Sequence, residues 1–155
     1  MQSYPVCRRA PLPGCESFST GHSVLLDRIF QARGIQSKDD LDTSLASAIA
    51  PETMPCLEPG ARLLKKALES DWKVLVVGDY DADGATSCAL LVKALRLLHL
   101  TQLDYLIPDR LQDGYGLTEA VANKILTMKP DLVVTVDNGI SSIDAAATLK
   151  RHGIK

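Results

Sequence analysis

Hydrophobic periodicity divides the chain near residue 72. Upstream, apolar residues recur at steps of three and four, the spacing of helices with one buried face. Leu25, Leu26, Ile29 and Phe30 give such a face to a helix over residues 22–33, with Gly34 as its C-cap. Ser37 precedes Lys38-Asp39-Asp40, and Leu41, Leu45 and Ile49 follow at steps of four. This predicts a second helix, stopped by Pro51. A third runs through Ala61, Leu64, Lys65 and Leu68. Pro5, Pro11, Pro13 and Gly14 oppose regular structure, so residues 1–20 read as an irregular segment ahead of a helical region over 21–70.

Downstream the pattern alternates between short apolar runs and longer amphipathic ones. Strands are expected at 74–78, 103–107 and 131–136, bounded by Gly78, Pro108 and Asp137. Helices are expected over 85–98, over 118–129 with Thr118 as N-cap, and from Ser141 or Ser142 to about 152, ended by Gly153. A polar, glycine-bearing loop occupies 109–116, and Ile154-Lys155 has the character of a fourth strand's first residues. Repeated strand–helix–strand units predict an α/β fold over 71–155: a parallel sheet with flanking helices, preceded by the small helical segment.

Composition narrows the function classes only a little. At 155 residues, 46% apolar and 23% charged, the chain has material for one core. A net charge of -2 advertises no broad electrostatic grip on nucleic acid. The Arg8-Arg9 pair is too small for one and reads as a solvated surface pair. Cys7, Cys15, Cys56 and Cys88 form no Cys-x-x-Cys pair, which argues against a zinc site and a disulfide framework. With no apolar leader at the N-terminus and no membrane-length apolar run, a soluble, cytoplasmic protein is expected.

The chemistry lies at the strand ends. Asp79, Asp81 and Asp83 follow the first strand at alternate positions, with Gly84 expected to release the backbone before the helix. Three carboxylates so close repel one another unless a cation or a proton sits among them, and hard divalent ions prefer such oxygens. An EF-hand loop is excluded, because its twelfth position, counted from Asp79, is Leu90 instead of Glu. A haloacid-dehalogenase-type phosphatase, with Asp81 as nucleophile, is disfavoured because Ala85 separates Gly84 from Thr86. Turn-capping accounts easily for one Asp and poorly for three.

Asp137 follows the third strand, and parallel strands bring their carboxyl ends to one edge, where ligands of open α/β sheets bind. Asn138-Gly139 supplies the tight turn that aims its carboxylate. Arg110 and Tyr115 fall in the loop after the second strand, on the same edge. Arg suits a phosphate, while Tyr115 either stacks a base or packs over its own loop. Carboxylate-held divalent ions beside an arginine are equipment for phosphodiester hydrolysis through an activated water.

Three motifs, Gly78-Asp-Tyr-Asp-Ala-Asp-Gly-Ala-Thr-Ser87, Ile107-Pro-Asp-Arg110 with Gly114-Tyr-Gly-Leu117, and Val134-Thr-Val-Asp-Asn-Gly-Ile-Ser141, resemble those of the DHH phosphoesterase superfamily. The similarity extends over roughly residues 20–155 and is close to its RecJ-type exonucleases, including an Arg-Ile-Phe-Gln-Ala-Arg-Gly-Ile segment at 28–35. The resemblance implies Asp81, Asp83 and Asp137 as Mn²⁺ or Mg²⁺ ligands, with Asp79 a ligand or its neighbour. Arg110, Tyr115, Asn138 and Gly139 would lie near the substrate strand. It further implies a single-stranded-DNA-specific 5′→3′ exonuclease of DNA repair and recombination, with a helicase and a single-strand-binding protein as partners.

Two departures accompany the resemblance. Asp109 stands where the family has Asn or His, and the Asp-His-His motif is absent; His22, His99 and His152 do not replace it. The chain is therefore expected to be the N-terminal part of such an enzyme, truncated within its α/β domain over 71–155, with a partial metal site and little activity alone. A smaller phosphodiesterase or pyrophosphatase of the same superfamily, and a non-catalytic scaffold module, are the alternative readings.

Overall fold

The structure, a computed structural model, describes residues 19–155. The chain divides into two compact units after Met54. In the first, helix α1 spans Val24–Ala32, and the Ser23 hydroxyl caps it by accepting the Leu26 N–H. Gly34 follows with φ of 86°, as expected of a helix-ending glycine. Expectations for residues 1–18, including the Arg8-Arg9 pair, Cys7 and Cys15, lie outside the described residues.

The helix expected over 37–50 is not formed. Short 3₁₀ turns at Asp39–Leu41, Leu45–Ser47 and Pro51–Thr53 take its place. The cause is local competition for the backbone. Asp40 Oδ2 accepts the N–H groups of Gln36 and Ser37, and Asp42 Oδ1 accepts that of Ser44. The Ser47 hydroxyl donates back to the Asp42 and Ser44 carbonyls. Such short polar side chains offer the backbone alternatives to the helical ladder. Leu45 and Ile49 are exposed.

The second unit opens with α2 (Leu57–Glu69) and continues with β1 (Val74–Val77), α3 (Ala82–Leu97) and β2 (Leu103–Leu106). Then come α4 (Arg110–Asp113), α5 (Glu119–Met128), β3 (Leu132–Thr135) and α6 (Ile143–Arg151). All three strands are parallel in the order β2-β1-β3, with Val74 opposite both Leu103 and Leu132. Beyond β3, the Lys155 N–H donates to the Asp131 carbonyl and the Val133 N–H to the Lys155 carbonyl.

The central strand is buried at every residue, and its alternation sorts the helices into layers. Leu75 and Val77 pack with Val121, Ala122 and Ile125 of α5 and with Ala145 and Leu149 of α6. Val74 and Val76 pack with Ala67 of α2 and with Cys88, Val92 and Leu95 of α3. The result is a helix–sheet–helix sandwich, the expected α/β class. Because β2 and β3 flank β1 on opposite sides, the strand order reverses at β1, and the carboxyl end of β1 is where open α/β sheets bind their ligands.

Two local expectations need correction. The helix α3 begins at Ala82, so Asp83 and Gly84 belong to its first turn rather than to a preceding loop. The Asp81 side chain caps it, accepting the Gly84 N–H at 2.9 Å. The expected loop at 109–116 contains the single turn α4, capped by Asp109, whose carboxylate accepts the Leu111 N–H. Thr118 caps α5 as expected, while Ser142 stands at the N-cap of α6 without a side-chain bond.

Candidate metal centre

The strand ends converge as parallel topology requires. Asp79, Asp81 and Asp137 each offer a carboxylate oxygen within 4.8 Å of the others'. Asp79 is 2% exposed, whereas Asp81 and Asp137 face solvent. The fourth expected carboxylate, Asp83, is outside this trio; it stands exposed in the first turn of α3. Asp81 therefore combines two roles that sequence reasoning held as alternatives, helix cap and member of the cluster.

The backbone around the trio is tightly packed. A Cβ on Gly78 would lie 2.7 Å from Ile107 Cδ1, and one on Gly84 2.5 Å from the Asp79 carbonyl oxygen. The Tyr80 N–H donates to Asp79 Oδ1 at 2.8 Å, fixing the buried carboxylate's direction. On the other side, Asp137 holds φ of 60°, in the left-handed region sparsely used by residues other than glycine. Gly139 continues that turn at φ of 103°, and a Cβ there would meet Thr135 Oγ1 at 2.5 Å.

Electrostatics agree with the crowding. The Asp137 carboxyl is pushed above the ordinary carboxylate range, first by desolvation among its neighbours. The negative charges of Asp81, Asp83 and Asp79 and a hydrogen bond with Asp81 add to this. Asp83 thus acts on the trio through its charge without joining it. Among the described ion pairs none involves a trio carboxylate. Three crowded oxygen donors, one buried and none paired with a cation among the described residues, fit a hard divalent ion.

The remaining expected residues surround this edge in different ways. Asn138 turns its amide to the backbone, donating to the Val136 carbonyl at 2.9 Å and the Val77 carbonyl at 3.3 Å. It thereby ties the ends of β1 and β3, while its buried Oδ1 has no partner. Tyr115 is 63% exposed between Gly114 and Gly116, and a Cβ on Gly116 would lie 3.7 Å from Asn138 Cβ. Arg110 stacks over Tyr80, its guanidinium carbon 4.8 Å from the ring centroid, and its Nη1 donates to the phenol oxygen. Tyr80 was not among the residues singled out from sequence. Its position between two cluster aspartates was the available signal.

Asp113 is a second residue that sequence reasoning passed over. Its buried carboxylate accepts the Asp109 N–H at 2.9 Å and pairs with Lys124 Nζ at 2.6 Å. The Thr118 hydroxyl donates to its carbonyl. These bonds anchor the turn that carries Arg110 to the first turns of α5.

Comparison with known proteins places this geometry in a family. The model of the DHH family, N-terminal domain, matches residues 73–155. The chain is 44% identical over 137 residues to the single-stranded-DNA-specific exonuclease RecJ of Haemophilus influenzae, covering 88% of this chain and 24% of that protein. To the RecJ of Escherichia coli it is 42% identical over 118 residues, 76% of this chain and 20% of that one. The chain thus spans about a quarter or less of these relatives' length. Among solved structures it resembles the crystal structure of RecJ in complex with Mn²⁺ from Thermus thermophilus. That match has a TM-score of 0.57 and 32% identity, covering 81% of this chain and 17% of that one.

Proposed function

The chain belongs to the DHH family, and from that premise we propose that its carboxylate trio serves phosphodiester hydrolysis on single-stranded DNA, in the 5′→3′ exonuclease activity of DNA repair and recombination. The observation that carries this reading is the convergence of Asp79, Asp81 and Asp137 within 4.8 Å at the carboxyl ends of β1 and β3. The RecJ relatives, named as single-stranded-DNA-specific exonucleases, support the substrate class. The Mn²⁺ of the Thermus structure supports the choice of ion, Mn²⁺ or Mg²⁺.

The ion, when bound, supplies charge neutralisation among the carboxylates and electrophilic stabilisation of the phosphorus oxygens. The chain's own residues do the rest. Asp79, held by the Tyr80 N–H, presents an oxygen from the protein interior. Asp81, fixed by capping α3, and Asp137, fixed by its left-handed turn, present theirs from the segments that follow β1 and β3. Asp83 adds negative charge that strengthens cation binding. Arg110 meets a phosphate of the strand, and exposed Tyr115 offers a ring for stacking a base. Asn138 and Gly139 shape the floor beneath the strand. Among the described residues no histidine joins the trio, so further ligands are required for a complete shell.

The protein would work in the cytoplasm beside a helicase and a single-strand-binding protein. Among the described residues no helix is long and apolar enough to cross a membrane. The test pairs Mn²⁺ titration calorimetry with degradation of a 5′-phosphorylated oligonucleotide. The 155 residues should bind Mn²⁺, lose that binding in Asp81→Asn and Asp137→Asn, and degrade the strand slowly or not at all. Unchanged Mn²⁺ binding in both variants would sink the metal assignment. Rapid degradation would show that three carboxylates suffice.

A further inference from the structure

Arg110 lies on the sheet edge that carries four carboxylates, yet among the described residues it forms no ion pair. Its partner is Tyr80, which offers both its ring face and its phenol oxygen. A guanidinium beside an acidic cluster would ordinarily take a carboxylate in a bidentate pair, the stronger bond. A tyrosine holds it differently. The ring quadrupole and one accepted hydrogen bond fix the guanidinium without neutralising its charge. The trio keeps its oxygens for a cation, and the arginine keeps its charge and most of its donors for an anion.

Both members of the pair are themselves anchored. The Tyr80 backbone N–H is bonded to Asp79 Oδ1, so the residue that holds Arg110 also orients the buried carboxylate. Arg110 rides on α4, whose turn is clamped by Asp109 and by the Asp113–Lys124 pair. The chain thereby bridges 30 residues of sequence with one aromatic contact between the metal-binding strand end and the loop after β2.

We propose that Tyr80 is a positioning residue for Arg110, holding its guanidinium in one pose at the edge of the trio where it meets a phosphate oxygen of the bound strand. This deepens the phosphodiester reading and rests on it. Pre-setting a long, flexible side chain removes the ordering cost that binding would otherwise carry.

The test measures the affinity of the Mn²⁺-loaded 155-residue chain for a 3′-fluorescein-labelled oligothymidylate, by anisotropy. Tyr80→Ala, Tyr80→Phe, Arg110→Ala and the Tyr80→Ala/Arg110→Ala double variant are compared, with thermal midpoints and Mn²⁺ affinity recorded for each. Tyr80→Ala and Arg110→Ala should each weaken binding about tenfold, the loss of one charge-assisted contact. The double variant should be no weaker than roughly tenfold, because the two residues act as one unit. Tyr80→Phe, which keeps the ring, should recover most of the affinity. Additive losses of about a hundredfold overturn the proposal. So does Tyr80→Ala binding like the unaltered chain, or an unaltered chain that binds no oligonucleotide. Mn²⁺ affinity should stay constant across the set. If it does, while Asp81→Asn and Asp137→Asn lose it, the metal reading stands whatever the tyrosine shows.

Discussion

The α-carbon of Gly84 lies against the backbone of Asp79: a Cβ at Gly84 would sit 2.5 Å from the Asp79 carbonyl oxygen and 2.6 Å from its carbonyl carbon and Cα. The first turn of α3 can pass beneath the buried carboxylate only because this position has no side chain. In an ordinary helix interior, Gly→Ala stabilises by roughly 0.5–1 kcal/mol. Gly84→Ala should instead destabilise by about 1–3 kcal/mol, the range for forced overpacking. It should also weaken Mn²⁺ binding, because Asp79 must move. Urea melts and metal titration would read both effects, and a stabilised, metal-competent variant would refute the steric account.

Asp137 is held in a conformation and a charge environment that favour binding over stability. Its carboxyl is pushed above the ordinary range by desolvation and by Asp81, Asp83 and Asp79. A raised carboxyl favours the folded state at acid pH, and that contribution is lost as pH rises through the folded value. At neutral pH without metal, Asp137→Asn should therefore raise the thermal midpoint, since Asn tolerates φ near 60°. With Mn²⁺ at a hundredfold its Kd, the unaltered chain gains about 2.7 kcal/mol and the variant little. Scanning calorimetry with and without Mn²⁺ would decide. A variant less stable than the unaltered chain in metal-free buffer would contradict the repulsion argument.

Asp113 titrates in the opposite sense. The hydrogen bond from Lys124 and the Asp109 N–H hold its carboxyl below the ordinary range. A lowered carboxyl contributes stability that is complete above the unfolded value of about 3.9 and is lost as pH falls through the folded one. Asp113→Asn should lower the melting point at pH 6, and the gap from the unaltered chain should narrow on acidification toward pH 3. A gap independent of pH would mean that the pair with Lys124 contributes nothing.

Leu75 and Leu45 are both apolar positions in periodic segments, but their environments differ. Leu75 is fully buried in the central strand, and Leu45 is 96% exposed in a 3₁₀ turn. Leu75→Ala should cost about 2–5 kcal/mol, the range for core truncation. Leu45→Ala should stay within about 0.5 kcal/mol. Chemical denaturation of the two variants gives the comparison, and a large loss at Leu45 would mean that its side chain is buried in solution.

The pattern of the second unit was legible because its signals are local. Val74 to Val77, an apolar and β-branched run closed by Gly78, reads as a buried strand, and Thr118 before Glu119 caps a helix with its own hydroxyl. The 37–50 segment misled because Leu41, Leu45 and Ile49 keep helical spacing, while Ser37, Asp40, Asp42, Ser44 and Ser47 supply enough local hydrogen bonds to break the helix into turns. Periodicity counts apolar positions and takes no account of that competition. The turn α4 was hidden for a related reason: four residues are too few to show a period.

What the sequence alone determined is the alternation of strands and helices and, through parallel topology, the edge to which Asp79, Asp81 and Asp137 must come. Strand direction is a property of the whole connection, so residues far apart in the chain are placed by the same rule. The tertiary structure decided the rest: that Asp79 is buried while Asp81 faces solvent, that Asp83 stays outside the trio, and that Arg110 rests on Tyr80. Those outcomes depend on the direction each side chain takes from its backbone and on what packs beside it. Neither quantity has a period that a sequence can display.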